Sequence, residues 1–218
     1  MKIHVLTAVW KRPEITRICF EGIKRLGFQA TVAISEESFI PLCDEYGFDY
    51  VMASNNLLGR KWNYGLRKAK EHDFDYLMIL GSDNLISDCL IDKYKEHEGV
   101  DMIGVKDFYI FDSVIKKVKY FEGYLEEMSI GAGRLINRRV INNIDKLWGN
   151  WLKKGLDTNC SAKVKKSGFT EIVIELGSSV VLDIKSGTNI HSFSEIGGGD
   201  VSNDILNKLP EKDLLFTL

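Results

Sequence analysis

No apolar run in this chain approaches the ~20 residues that a helix needs to cross a bilayer, and the sequence opens on Lys2-Ile3-His4 without a charged leader or a long apolar stretch behind it. A soluble, cytoplasmic protein is the expectation. The four cysteines, Cys19, Cys43, Cys89 and Cys160, are scattered, with no Cys-x-x-Cys pair and no Cys/His grouping. That argues against a structural zinc site and for reduced thiols. No internal repeat is visible. An excess of one charge sign is missing as well, because the formal net charge is -2 over 218 residues. A wholly basic nucleic-acid coat protein and a disordered acidic chain are both excluded. The length suits one domain with a sizeable core.

What is present is a regular alternation of strand and helix. Ile3 to Val9 is a β-rich run stopped by Trp10-Lys11-Arg12-Pro13. Pro13 suits the first turn of a helix, and Ile15, Ile18, Cys19, Ile23 and Leu26 keep helical spacing up to Gly27. Strands are expected at 30–34, 49–53 and 76–80, with helices over 38–46 and from about Lys61 to His72. This rhythm implies a mostly parallel sheet with helices on both faces. The second half reads as a strand at 101–105, a hairpin over 108–120, helices over 138–147 and 157–167, and strands at 172–176 and 180–184. From Gly197-Gly198-Gly199 onward the expectation is a flexible tail, 197–218, with a short helix near Ile205 to Leu209.

The strand Tyr76 to Leu80 ends in Gly81-Ser82-Asp83-Asn84. This is ordinary turn composition, but its place is informative. In an open α/β sheet, ligands bind in the crevice outside the carboxyl ends of the strands. Three more polar clusters lie at expected strand ends or helix starts: Thr7 to Arg12, Asn55 to Asn63, and Asp183 to His191. Taken singly, Lys61 or Arg12 is most often a solvated charge, Trp62 a core aromatic and His191 a hydrogen-bonded histidine. Their coincidence raises the functional reading.

Together these segments resemble nucleotide-sugar glycosyltransferases of the GT-A type, family-2-like. The resemblance is carried by the opening strand with Trp10-Lys11-Arg12-Pro13, by Asn56 to Leu66, by Gly81-Ser82-Asp83-Asn84, by Gly131-Ala132-Gly133-Arg134 and by Leu156-Asp157. It runs from the first residue to about His191. It implies an α/β, single-domain GT-A-like fold: a Rossmann-like, mostly parallel central sheet flanked by helices, with a small mixed second half. Residues 1–100 would be the nucleotide-binding half and 101–196 the acceptor half. The resemblance also implies a nucleoside-diphosphate sugar donor, with uridine the expected base, bound by Thr7, Trp10, Arg12, Lys61, Asn63, Ser82, Asp83 and Arg134. A divalent cation, Mn2+ or Mg2+, would sit on Asp83, Asn84 and His191. Asn84 stands where the family usually has a carboxylate and offers a neutral carbonyl oxygen. Asp157 would deprotonate the acceptor hydroxyl. The compact length suits a small viral or bacterial accessory enzyme.

The physical chemistry agrees with this assignment. A hard cation on oxygen ligands stabilises the charge that a diphosphate leaving group develops. Asp157, at an expected helix start, suits both a general base and a first-turn carboxylate favoured by the helix dipole. Arg134 suits a bidentate phosphate clamp or a structural ion pair. Between Lys116 and Lys166 twelve lysines and arginines face five carboxylates. On the acceptor side, that excess favours an anionic acceptor such as a modified DNA base, a phosphorylated glycan or a lipid-linked sugar. Such runs are more often solvated faces. Two alternatives stay open: a nucleotidyltransferase, whose usual Gly-rich basic phosphate loop is missing here, and a non-catalytic nucleotide-sugar-binding module.

Overall fold

The computed structural model describes residues 1–124, 128–187 and 193–218. Strand β1 (Ile3–Val9) is followed by α1 (Pro13–Arg25), β2 (Gln29–Ile34), α2 (Ile40–Tyr46), β3 (Asp49–Met52), α3 (Leu58–Ala69) and β4 (Tyr76–Ile79). These strands pair in parallel in the order β4-β1-β2-β3. Every residue of β4 is buried, as a parallel strand covered on both faces must be. The alternation expected from the sequence is therefore the observed one.

The chain then leaves this sheet. After β5 (Asn84–Ile86) and α4 (Asp88–Lys95) come β6 (Met102–Val105), the antiparallel hairpin of β7 (Phe108–Asp112) and β8 (Lys117–Phe121), and β9 (Arg134–Asn137). Helices α5 (Arg138–Asn143) and α6 (Leu156–Lys166), strands β10 (Glu171–Ile174), β11 (Val181–Lys185) and β12 (Gly199–Val201), and helix α7 (Lys212–Thr217) complete the order. A seven-stranded sheet runs β10-β6-β9-β4-β1-β2-β3 and a five-stranded sheet runs β12-β8-β7-β11-β5. Strand β9 lies antiparallel between β4 and β6. It was not legible from the sequence, where Gly131 to Arg134 reads as a turn. The helix expected over 138–147 stops at Asn143, whose side-chain amide donates to the Arg139 carbonyl at 2.8 Å. Local side-chain bonds of this kind compete with helix continuation.

The expected flexible tail is corrected. Residues 199–201 form β12 on the edge of the five-stranded sheet. Leu206, Leu209 and Leu215 are buried in a core shared with Ile15, Ile18, Leu85, Phe111, Leu182 and Ile184. Glu211, itself buried, binds Arg25 at 2.6 Å. The three glycines signal a flexible join, but the leucines beyond it have an apolar face to cover. Because full burial of one leucine contributes roughly 1.5–3 kcal/mol, truncation before Gly199 is expected to lower unfolding free energy by on the order of 5 kcal/mol. Urea denaturation checks this, and an unchanged midpoint would place the segment outside the core.

Candidate functional site

Strand β4 ends at Ile79, and by Asn84 the chain has entered the other sheet as β5. The crossing is a tight turn. Asn84 Oδ1 accepts from the Gly81 amide at 2.7 Å, and the Asn84 amide donates back to the Gly81 carbonyl at 3.2 Å. This is the local bonding that suits asparagine to turns. A Cβ at Gly81 would lie 2.6 Å from Asn84 Oδ1 and 2.7 Å from Asp83 Oδ1, so any other residue there would displace those two side-chain oxygens.

The pairing of β5 with β11 sets Asn84 opposite Asp183, and the Ile184 amide donates to the Asp83 carbonyl at 2.7 Å. Strand alternation sends Leu182 and Ile184 into the core and leaves Asp183 and Lys185 together on the other face. Each carboxylate here has a protein cation. Arg12 Nη1 lies 3.0 Å from Asp83 Oδ2, and Lys185 Nζ lies 2.7 Å from Asp183 Oδ2. Burial first, and the Asp83 carboxylate second, push the Asp183 carboxyl above the usual carboxylate range. Asp183 Oδ1 has no hydrogen-bond partner among the described residues.

Arg12 reaches Asp83 from an unusual backbone. Lys11 and Arg12 are both left-handed, with φ of 56° and 54°, at a cost of roughly 1–2 kcal/mol per non-glycine residue. The Lys11 amide donates to Glu36 Oε2 at 3.0 Å, and the Arg12–Asp83 pair holds the other end of the bend. Lys61, from α3, supports the same loop, its ammonium donating to the Val9 carbonyl at 2.5 Å and to Asn55 Oδ1 at 3.1 Å. Its burial pushes its pKa down to about 7.

Asp83, Asn84, Asp157, Asp183 and Lys185 all line one cavity of about 430 Å³. Trp62, Trp148 and Tyr124 give it aromatic walls, with the two indoles 5.4 Å apart. Helix α6 starts after Gly155, which has φ 72°, and Asp157 sits in its first turn. A Cβ at Gly131 would crowd Asp157 Oδ1, so a larger residue there would push that carboxylate from its place. Tyr124 approaches Asp157 Oδ2 with its hydroxyl at 3.5 Å. A larger cavity of about 820 Å³ lies between α1, α2 and the end of α7. It contains Arg12 but neither Asp83 nor Asp157, so the smaller one is the candidate site.

The other residues singled out from the sequence are placed differently. Arg134 is 1 % exposed. Its guanidinium donates to the Ser129 hydroxyl at 2.7 Å, to the Ser129 carbonyl and to the Asp157 carbonyl at 3.2 Å, with Glu171 at 3.8 Å. The phosphate clamp expected there is corrected to a buried brace that holds the backbone of Asp157. Asn63 bonds the Trp148 loop, its carboxamide meeting the Trp148 carbonyl at 2.7 Å, the Trp148 amide at 3.3 Å and Asn150 Oδ1 at 2.9 Å. It fixes the loop that carries Trp148. Thr7 and Ser82 are buried, and Trp10, 38 % exposed, carries the Lys11 ammonium 4.3 Å above its ring. His191 lies outside the described residues. Sequence reasoning singled out the segment Asp183 to His191 as a polar cluster without giving Asp183 or Lys185 a role of its own, and it did not single out Tyr124 or Trp148. A pair of opposite charges two apart on the apolar strand Val181 to Lys185 was the available signal.

Around the expected divalent-cation site, Asn84 Oδ1 is taken by the Gly81 amide, Asp83 Oδ2 by Arg12 and Asp183 Oδ2 by Lys185, while Asp183 Oδ1 is unpartnered among the described residues. Those residues do not include His191, and no group of three or more His, Cys, Asp or Glu able to hold a metal occurs among them. Of the basic segment from Lys116 to Lys166, three members have partners in different parts of the fold. Lys117 pairs with Asp200 at 3.8 Å in the five-stranded sheet, Arg139 with Asp101 at 2.6 Å in the other half, and Lys163 donates to the Lys146 carbonyl at 2.9 Å.

No protein-family model matches the chain, and no curated protein matches it. Solved structures do. TarS of S. aureus superposes at TM-score 0.56 with 10% identity, covering 86% of this chain, which spans about a third of that structure, 36%. Residues 1–349 of TarS, solved in complex with UDP, match at 0.52, with 11% identity over 86% of this chain and 59% of that one. The inositol-1-phosphate CTP transferase of T. maritima matches at 0.57 and 8% identity over 98% of this chain and 96% of its own. The fold is GT-A-like. At these identities the likeness is one of fold. No described helix is long and apolar enough to cross a membrane.

Lys61 provides a test of the loop geometry. Between a folded value of about 7 and its ordinary value of 10.5, the unfolded chain holds the proton and the folded chain does not. Stability contributed through this group therefore rises with pH in that window, with a slope of at most about 1.4 kcal/mol per pH unit. Urea unfolding at pH 7 and 8.5 is expected to show a rise that Lys61→Met lacks. Equal slopes in the two proteins would mean an exposed ammonium.

Proposed function

We propose that the chain is a glycosyltransferase that moves a sugar from a nucleoside-diphosphate sugar to an acceptor hydroxyl. The observation that carries this reading is the meeting of Asp83, from the turn after β4, with Asp157, from the first turn of α6, on one cavity of about 430 Å³. A cavity at the carboxyl end of β4, where the chain changes sheets, is where this architecture binds ligands. The nucleotide side is assigned to the turn after β4 at Asp83, next to which the β1–α1 loop is held by the Arg12–Asp83 pair, with Arg12 itself lining the neighbouring larger cavity and Lys61 bonding that loop at the Val9 carbonyl. Uridine is the expected base, and the UDP held by the TarS piece supports it.

Asp157 acts as the general base. It takes the proton of the acceptor hydroxyl while that oxygen forms its bond to the anomeric carbon. The bond from that carbon to the diphosphate oxygen breaks on the opposite side, and its electron pair leaves with the diphosphate. Inversion is the stereochemical outcome. Arg134 positions Asp157 by holding its carbonyl, and the walls of Trp62, Trp148 and Tyr124 offer apolar faces and a hydroxyl to a sugar ring.

A second reading, transfer of a nucleotidyl group, is favoured by the match to the CTP transferase over 98% of this chain. The products separate the two. Glycosyl transfer releases a nucleoside diphosphate, whereas nucleotidyl transfer from a nucleoside triphosphate releases pyrophosphate. Asp157→Asn is expected to reduce turnover by about a hundredfold or more, the usual range for a lost general base, with donor affinity unchanged. The fold is expected to survive, because the exchange keeps the side-chain volume and, in the first turn of α6 after the Gly155 cap, gives up only a helix-dipole contribution of about 0.3–1 kcal/mol. Steady-state rates with nucleotide-sugar donors measure this, and a fully active Asp157→Asn removes Asp157 as the base.

A further inference from the structure

We propose that Glu171, at the start of β10, is a positioning residue for Asp157: it clamps the first turns of α6 by two separate routes and so sets where the Asp157 carboxylate stands in the cavity. The inference rests on the glycosyltransferase reading above, in which Asp157 is the base. The first route is direct. Ser161 lies four residues beyond Asp157, on the same face of α6, and its hydroxyl donates to Glu171 Oε2 at 2.6 Å. The second runs through the loop before β9. Glu171 Oε1 accepts from the Ser129 amide at 2.9 Å and from the Ser129 hydroxyl at 2.7 Å. That hydroxyl in turn accepts from Arg134 Nε at 2.7 Å, and Arg134 Nη1 donates to the Asp157 carbonyl at 3.2 Å. One carboxylate therefore holds α6 both at Asp157 and one turn further on.

The side chains of Glu171 and Arg134 are 0 % and 2 % exposed. Burial acts against ionisation of Glu171, but the hydrogen bonds from Ser161 and Ser129 hold its carboxyl below the usual range. Stability alone does not account for such a buried pair, because apolar residues of similar volume often serve a fold as well or better. What a fully bonded polar network does supply is a single fixed arrangement. The surroundings are shaped to the same end. A Cβ at Gly104 would lie 2.6 Å from Ser129 Cβ, so β6 leaves room for Ser129. The Ile130 amide ties the loop to the Val105 carbonyl at 2.8 Å, and Gly131 lies beside the Asp157 carboxylate. The three residues 129–131 thus meet the Glu171 network at one end and the carboxylate at the other.

A double-mutant cycle with Asp157 tests this, because a group that acts only through Asp157 has nothing left to act on once the base is gone. Release of nucleoside diphosphate from UDP-glucose, UDP-N-acetylglucosamine and GDP-mannose is followed in the full chain, with water as the acceptor hydroxyl. Glu171→Gln keeps the size of the side chain and removes its charge. It is expected to lower kcat about tenfold or more, as a misplaced catalytic group does, with the donor KM within about threefold of wild type. In the Asp157→Asn background the same change is expected to cost less than about twofold. If circular dichroism shows that Glu171→Gln does not fold, Ser161→Ala, which cuts the direct route and keeps the charge, takes its place in the cycle with the same pattern expected. Equal losses in the two backgrounds reveal a merely structural role and overturn the inference, and so does a folded variant as active as wild type. In both of those cases a hundredfold loss in Asp157→Asn itself leaves the glycosyltransferase reading standing. A fully active Asp157→Asn removes the base and this inference together. Absence of release from all three donors by the wild type overturns the glycosyltransferase reading as well.

Discussion

The Gly81–Asn84 turn is the constraint on which the rest of the site depends. Here the chain passes from a parallel sheet into a second sheet within a few residues, and both sheets must satisfy their backbone groups at the same place. The asparagine side chain does this for the Gly81 amide, and the Ile184 amide does it for the Asp83 carbonyl. Because strand register is set to the single residue by alternation of faces, that one pairing also determines which residues of β11 meet Asp83. A shift by one would bring Leu182 and Ile184 to the cavity and bury Asp183 and Lys185 in the apolar core that those two now occupy.

Around this crossing the fold uses ordinary packing to hold unusual charges. Four ionised side chains at one end of the sheet are tolerated because they pair, and because Arg12 approaches from a loop bent through two left-handed residues. Lys61 and Arg134 do not face the cavity. They bond to backbone carbonyls, at Val9 and Asp157 respectively, and so hold the two segments that carry Arg12 and the Asp157 carboxylate. A long cationic side chain that reaches several carbonyls is an efficient brace in an interior where unpaired polar groups are costly. Both therefore look functional in a sequence and are structural in place, one bond removed from the chemistry.

The parallel half of the fold was legible because each of its strands is a short apolar run and each helix has its own start and stop signals, Pro13, Gly27 and Gly47 among them. Period and punctuation are local properties, and they survive reading along the chain. Asp83 and Asp157 could be singled out for the same reason, each standing at the end of a recognisable element. Strand β9 was not legible. Its four residues follow a glycine turn, and what makes them a strand is the gap between β4 and β6, two partners distant in sequence. The segment after Gly197 was misread on the same principle, since its leucines acquire a face to cover only when α1 and β11 are assembled.

Residue types and their periodicity were enough to establish an α/β chain with polar groups at its strand ends, since those signals arise within a few residues of backbone. Which of the polar groups share a cavity, and which partner each one has, arose from the pairing of β5 with β11 and from the insertion of β9. Nothing near Asp83 in the chain announces Asp183 or Lys185, and nothing near Arg134 shows that Ser129, Glu171 and the Asp157 carbonyl will surround it. Charge compensation is a short-range, three-dimensional interaction. It is decided by which segments the sheets bring within a few ångströms of one another, and linear order does not carry that information.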